Sequence, residues 1–113
     1  MKPIALVTGG NRGIGRGIVI ALAQRGFDVA YADLAETEDT AITRREAEAA
    51  GARVSFVTGD IADLSTHDRI VDAAYALGTR LDVLVNNAGV SVAKRGDALD
   101  VTPESFDHVR GLF

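Results

Sequence analysis

Short apolar runs punctuate the chain, and between them apolar residues recur at helical spacing. Ile4-Ala5-Leu6-Val7 contains no polar residue and reads as a buried strand. Ile14, Ile18, Ala21 and Leu22 mark the apolar stripe of a helix that ends at Gly26. Phe27 to Ala32 reads as a second strand closing on Asp33. The segment 36–50 is rich in Ala, Glu and Arg and predicts an exposed helix. Thr37 suits its N-cap, Glu38 and Asp39 its first turn, and Gly51 its stop. Its charges read as a solvated face. Arg53 to Thr58 supplies a third strand through Val54, Phe56 and Val57, ended by Gly59-Asp60-Ile61.

Ser65, with Asp68 in capping-box position, is expected to cap a third helix. Its apolar face is Ile70, Val71, Ala73, Ala74 and Leu77, and Gly78 stops it. Leu81 to Val85 forms a fourth strand that runs into Asn86-Asn87-Ala88-Gly89. A polar loop from Ser91 to Val101 follows, and Thr102-Pro103-Glu104 opens a last helix. The alternation predicts an α/β fold: a Rossmann-type parallel sheet with helices on both faces and right-handed crossovers. Four strands make this a small sheet, and 1–113 a single domain.

Composition narrows the function classes. The 113 residues suffice for one domain, at 47% hydrophobic and 25% charged, as in an ordinary soluble globular sequence. A net charge of −4 gives no basic footprint, so neither nucleic acid nor an anionic membrane is an expected partner. The absence of cysteine removes disulfides, thiolate catalysis and cysteine zinc sites, and it fits a cytoplasmic protein. No signal peptide or membrane span is read. His67 and His108 have no ligand-like neighbours, so no metal site is expected and both read as surface helix residues.

The candidate chemistry lies in Thr8-Gly9-Gly10-Asn11-Arg12-Gly13-Ile14-Gly15, between the first strand and the first helix. In such a turn an early glycine permits the sharp bend and a later one admits a pyrophosphate close to the backbone. A glycine inside the helix allows tight packing on the strand. The helix then aims its free amides and positive dipole end at the phosphates. No Lys-Ser or Lys-Thr follows, so this is not an NTPase phosphate loop. Read from the residues alone, Asp33 is also consistent with a strand end turned to solvent. Asp60 is likewise consistent with turn chemistry, and Asn86-Asn87 with an Asx turn.

The glycine turn and Asn86-Asn87-Ala88-Gly89 together resemble the short-chain dehydrogenase/reductase family, whose motifs are Thr-Gly-x-x-x-Gly-x-Gly and Asn-Asn-Ala-Gly. Bacterial 3-oxoacyl-(acyl-carrier-protein) reductases are nearest in overall character. The resemblance implies an NAD(P)-dependent oxidoreductase that moves hydride between nicotinamide and a small-molecule carbonyl or alcohol substrate. It implies that Gly9, Asn11, Arg12, Gly13, Ile14 and Gly15 form the pyrophosphate turn. Asp33 would accept from the adenosine ribose hydroxyls, Asp60 and Ile61 would border the adenine, and Asn86, Ala88 and Gly89 would line the cofactor's central portion. Arg12 suits a 2′-phosphate and permits NADP. Asp33 would face that phosphate as a like charge, so NAD is the expected preference.

The family's chemistry belongs to a serine and to a tyrosine and lysine separated by three residues. The only tyrosines here are Tyr31 and Tyr75, followed four residues on by Ala35 and Thr79, and the only lysines are Lys2 and Lys94. Ser91 comes too early, so no catalytic residue is assigned. After Phe106-Asp107-His108-Val109 the family's asparagine is missing, and Arg110-Gly111 follows directly. The chain reads as a single partial dinucleotide-binding domain over 1–113, the cofactor-binding front portion of an enzyme, and a homo-oligomer or a missing C-terminal portion is the expected partner. The alternative is a non-catalytic nucleotide-binding or pairing module.

Overall fold

The computed structural model describes residues 2–87. Ala88, Gly89, Ser91, His108 and the last helix, opened by Thr102-Pro103-Glu104, lie outside the described residues. Four strands, β1 (Ile4–Thr8), β2 (Asp28–Asp33), β3 (Val54–Thr58) and β4 (Val83–Asn86), form one sheet in the order β3-β2-β1-β4. All pairings are parallel, with Thr8 opposite Ala32 on one side and Asn86 on the other. The helices are α1 (Gly13–Gln24), α2 (Glu38–Ala49) and α3 (His67–Tyr75).

Alternation along the central strands divides the core in two. Ile4, Leu6, Ala30 and Ala32 pack with Ile70, Ala73, Ala74 and Leu77 on the α3 face. Val7, Val29 and Tyr31 pack with Val19, Ala23 and Ala47 on the face covered by α1 and α2. Because β1 and β2 are covered on both faces, nearly every residue in them is buried, hence their uninterrupted apolar runs. No helix among the described residues is long and apolar enough to cross a membrane.

Three local expectations need correction. The buried stripe of α1 is Gly15, Val19 and Ala23, with Ile18 and Leu22 half-buried beside it, while Ile14 is 63% exposed. The helix begins against β1 through a glycine, which turns Ile14 outward. Ser65 does not cap α3. A 3₁₀ turn, Leu64–Thr66, precedes that helix, and Asp63 caps the turn by accepting from the Ser65 backbone N–H and from the Ser65 hydroxyl. His67 is buried, not superficial, and its Nε2 lies 2.7 Å from the Ile61 carbonyl.

Gly51 does end α2, at φ +100°. Gly78 serves packing, since a Cβ there would meet Ile4 Cδ1 at 2.6 Å.

The two hydrogen bonds from Ser65 lower the Asp63 pKa from its usual 3.8. A carboxylate depressed on folding stabilises the fold above its unfolded pKa, and that contribution is lost as pH falls through the folded value. Asp63→Ala should therefore lower the melting temperature near neutrality. The gap to the parent should narrow as pH drops below 3.8, as calorimetry across pH would show. A gap that stays constant into acid would contradict this role.

Candidate functional site

The sheet order reverses between β2 and β4 around β1, which opens a crevice at the carboxyl ends of the strands. The glycine turn leaves β1 here. Gly9 and Gly13 have φ of 73° and 60°, conformations that L side chains rarely adopt. The Gly9 and Gly10 amides both donate to the Ala32 carbonyl, at 2.7 and 3.3 Å, and tie the turn to the end of β2. Side chains would be excluded at two further positions. A Cβ on Gly10 would strike the Tyr31 ring at 2.7 Å, and one on Gly15 would stand 1.7 Å from the Gly9 carbonyl oxygen. Gly13 differs, with nothing within 4 Å of its Cβ position. The turn is therefore packed on its inner side and open on its outer side.

The N-terminus of α1 points into that opening. Arg12 stands at the N-cap in extended conformation, no side chain caps the helix, and its first turn carries no acidic residue. Such an end presents unpartnered amides and a positive dipole to an anion. Arg12 and Ile14 are exposed beside it. Asp33 ends β2 half-buried, accepting from the Asn11 amide at 3.0 Å through Oδ2 and from the Leu34 amide at 2.8 Å through Oδ1. Each oxygen keeps a second lone pair, so the carboxylate can still accept from a ligand hydroxyl. Leu34, next in the chain, is 71% exposed.

The other expected residues divide by what holds them. Asn11 is buried, and its side chain is engaged within the protein: Nδ2 donates to the Ala35 carbonyl and Oδ1 accepts from Thr40. Asn86 Oδ1 accepts from the Thr8 hydroxyl at 3.0 Å. Asp60 is exposed, with Oδ1 accepting from the Ala62 amide, and the half-buried Ile61 packs against the α3-side core. The structure thus gathers Gly9 to Gly15, Asp33 and Asn86 at the ends of adjacent strands. Asp60 and Ile61 follow the outer strand β3.

Several supporting residues escaped the sequence reading. Asn87 donates through Nδ2 to the Gly9 carbonyl, tying β4 to the turn. The Thr43 hydroxyl lies 3.0 Å from the Gly10 carbonyl and 2.8 Å from that of Asn11, and Arg16 donates to the Asn11 carbonyl and to Asp39. Their signal was present in the sequence: Thr40, Thr43 and Ala47 recur at helical spacing, but a polar and small stripe does not announce burial. Tyr31 donates to the Thr40 carbonyl at 2.6 Å, and burial pushes its pKa up to about 12. That removes it as a proton carrier near neutrality. Among the described residues no group of three or more acidic, His or Cys side chains could hold a metal.

The chain belongs to the short chain dehydrogenase family, whose pattern it matches over residues 3–111. It is 43% identical over 110 residues to L-2,3-butanediol dehydrogenase of Corynebacterium glutamicum, covering 96% of this chain and 42% of that protein. A short-chain dehydrogenase/reductase structure from Sinorhizobium meliloti 1021 superimposes with a TM-score of 0.73 at 48% identity, over 98% of this chain and 48% of that one. The 3-oxoacyl-[acyl-carrier protein] reductase of Brucella melitensis, solved in complex with NAD, gives 0.71 at 43% identity, over 96% and 42% respectively. The chain thus spans less than half the length of these relatives.

Gly15 and Gly17, both within α1, offer a direct comparison. Gly15→Ala must displace backbone and should cost upwards of about 3 kcal/mol. Gly17→Ala meets nothing within 4 Å and should stabilise by about 0.5–1 kcal/mol. Urea denaturation checks both. A Gly15→Ala midpoint equal to the parent's would overturn the close approach.

Proposed function

We propose that this chain is the cofactor-binding portion of a cytoplasmic, NAD-preferring oxidoreductase acting on a small-molecule carbonyl or alcohol. The observation that carries the reading is a coincidence at one crevice. The reversal in strand order, the uncapped N-terminus of α1 and the Asp33 carboxylate all meet there. The pyrophosphate would lie against the Gly13–Gly15 amides, on the side of the turn that is open. Asp33 would take a ribose hydroxyl with its remaining lone pairs, while the Thr8, Asn86 and Asn87 hydrogen bonds keep the turn in register with β4. When bound, the nicotinamide group supplies or accepts the hydride.

Preference for NAD follows from what faces the ribose. Asp33 is fixed by two backbone amides, so it cannot turn away from a 2′-phosphate, and like-charge contact in a partly desolvated site is costly. Leu34 offers no cation at the adjoining position. Arg12 is exposed and makes no hydrogen bond or ion pair to the described residues, so it permits NADP without selecting it.

Proton transfer to the substrate is assigned to no residue of this chain, since it has no tyrosine with a lysine four positions on. A second copy carries the same sequence and cannot supply that pair, so a further C-terminal portion would have to complete that part of the site. The missing pair also supports a second reading, a nucleotide-binding module without catalysis.

Fluorescence titration should give a lower Kd for NAD than for NADP. Asp33→Ala should narrow the gap, and Arg12→Ala should leave NAD affinity nearly unchanged. Equal or tighter binding of NADP would refute the preference, and no binding of either would refute the cofactor role. Hydride transfer by the 113-residue chain should not exceed a control without protein. Turnover above that control would mean that a proton donor has been overlooked.

A further inference from the structure

Asn11 occupies a motif position that suggests a cofactor ligand, yet every polar group it owns is turned to the protein. Its amide N–H donates to Asp33 Oδ2 at 3.0 Å, and its Nδ2 donates to the Ala35 carbonyl at 2.9 Å. It therefore grips the turn 33–35 from both ends. A carbonyl can only accept, so the Ala35 bond fixes which way the Asn11 amide faces. Oδ1 is left pointing at α2, where the Thr40 hydroxyl donates to it at 2.8 Å.

Thr40 is the hinge of this arrangement. It is buried, and its Oγ1 accepts from the Thr37 backbone N–H at 3.0 Å as half of the capping box of α2. With that lone pair used, the single hydroxyl proton is free to go to Asn11. The capping box and the grip on the turn thus share one oxygen. Removing the hydroxyl leaves Asn11 Oδ1 buried without this donor, and the amide loses the bond that opposes its rotation.

Resting on the reading of this crevice as an NAD site, we propose that Asn11 and Thr40 are positioning residues for cofactor discrimination. They act through Asp33, whose carboxylate they hold in place, and not by contact with the cofactor. A carboxylate that can swing aside would bind the ribose hydroxyl less well and repel a 2′-phosphate less strongly. Losing Thr40 should therefore compress the ratio of NADP to NAD dissociation constants. A structural defect alone would weaken both cofactors together and leave the ratio intact.

The test is titration of NAD and NADP into the full chain carrying Thr40→Val, with Thr40→Ser as the conservative rescue. Thr37→Val serves as a control that damages the capping box yet keeps the Thr40 hydroxyl. Thr40→Val should compress the ratio about fivefold, the equivalent of one net hydrogen bond. Thr40→Ser and Thr37→Val should both keep the parent ratio. An unchanged ratio in Thr40→Val, or an equal compression in Thr37→Val, overturns the proposal. Should Thr40→Val fail to fold, Asn11→Ser, which gives up both side-chain bonds, must show the same compression or the proposal fails.

Amide hydrogen exchange without any cofactor supplies an independent arm. The Asn11 and Leu34 amides, both donors to Asp33, should exchange faster in Thr40→Val, and unaltered protection would overturn the positioning role. A parent chain that binds neither cofactor defeats the functional reading, while the exchange arm still decides whether Thr40 holds the turn.

Discussion

The close approach of α1 to β1 is the constraint from which the site follows. With no Cβ on Gly15, the first turn of the helix lies against the Gly9 carbonyl, which a side chain would reach at 1.7 Å. That contact brings the helix axis down onto the strand end and aims its uncapped amides along the crevice. It also dictates which way the helix is rotated. Gly15 on the strand puts Val19 and Ala23 beneath it and leaves Ile14 outside at the mouth. One missing methyl group sets direction, depth and exposure together.

A turn this tight has many backbone polar groups and few ladder partners, and the structure meets them from three sides. Ala32 on β2 takes the Gly9 and Gly10 amides, Asn87 beyond β4 donates to the Gly9 carbonyl, and Thr43 and Arg16 cover the Gly10 and Asn11 carbonyls. Among the described residues no buried side-chain nitrogen or oxygen is left without a partner. Satisfying the side chains around the turn matters because a half-satisfied buried network destabilises more than an apolar one. The glycine turn owes its shape to its neighbours at least as much as to its own sequence.

What the sequence revealed follows the kind of force involved. Strand runs, element order and glycine positions are local or periodic signals, and the sheet, the turn and the end of β2 at Asp33 all appear where those signals put them. Long-range satisfaction is different. Even a local contact can mislead: Ser65 carries the usual cap chemistry, but Asp63 stands at the N-cap of a 3₁₀ turn and takes the Ser65 amide. His67 read as a surface residue because it has no ligand-like neighbours in the sequence, yet it is buried with its ring at the Ile61 carbonyl. Thr40 and Thr43 carried no sequence label because their partners sit 29 and 32 or 33 residues away. A buried threonine reveals its role only when its acceptor is known.

The two ends of the sheet use the same residue type for opposite purposes. Where parallel strands begin, leading amides lack ladder partners, and carboxylates meet them: Asp82 accepts from the Ile4 amide, and Asp28 accepts from the Arg53 amide. Asp28 is almost wholly buried and also binds the Arg53 guanidinium, which reaches on to the Leu77 carbonyl. Asp28 is closed off, while Asp82 stays exposed and also pairs with the Arg80 guanidinium; both serve the fold. At the opposite end the strands finish in carbonyls, and the amides that need acceptors belong to the turns that lead into helices. Asp33 takes two of those amides yet stays half-buried, because its neighbours Leu34 and Ala35 bend away and are exposed. The same hydrogen bonds that stabilise the turn therefore leave one carboxylate fixed in direction and open to a ligand. Under the NAD preference proposed above, that rigidity would let a single charge discriminate, since a carboxylate free to rotate would accommodate either cofactor.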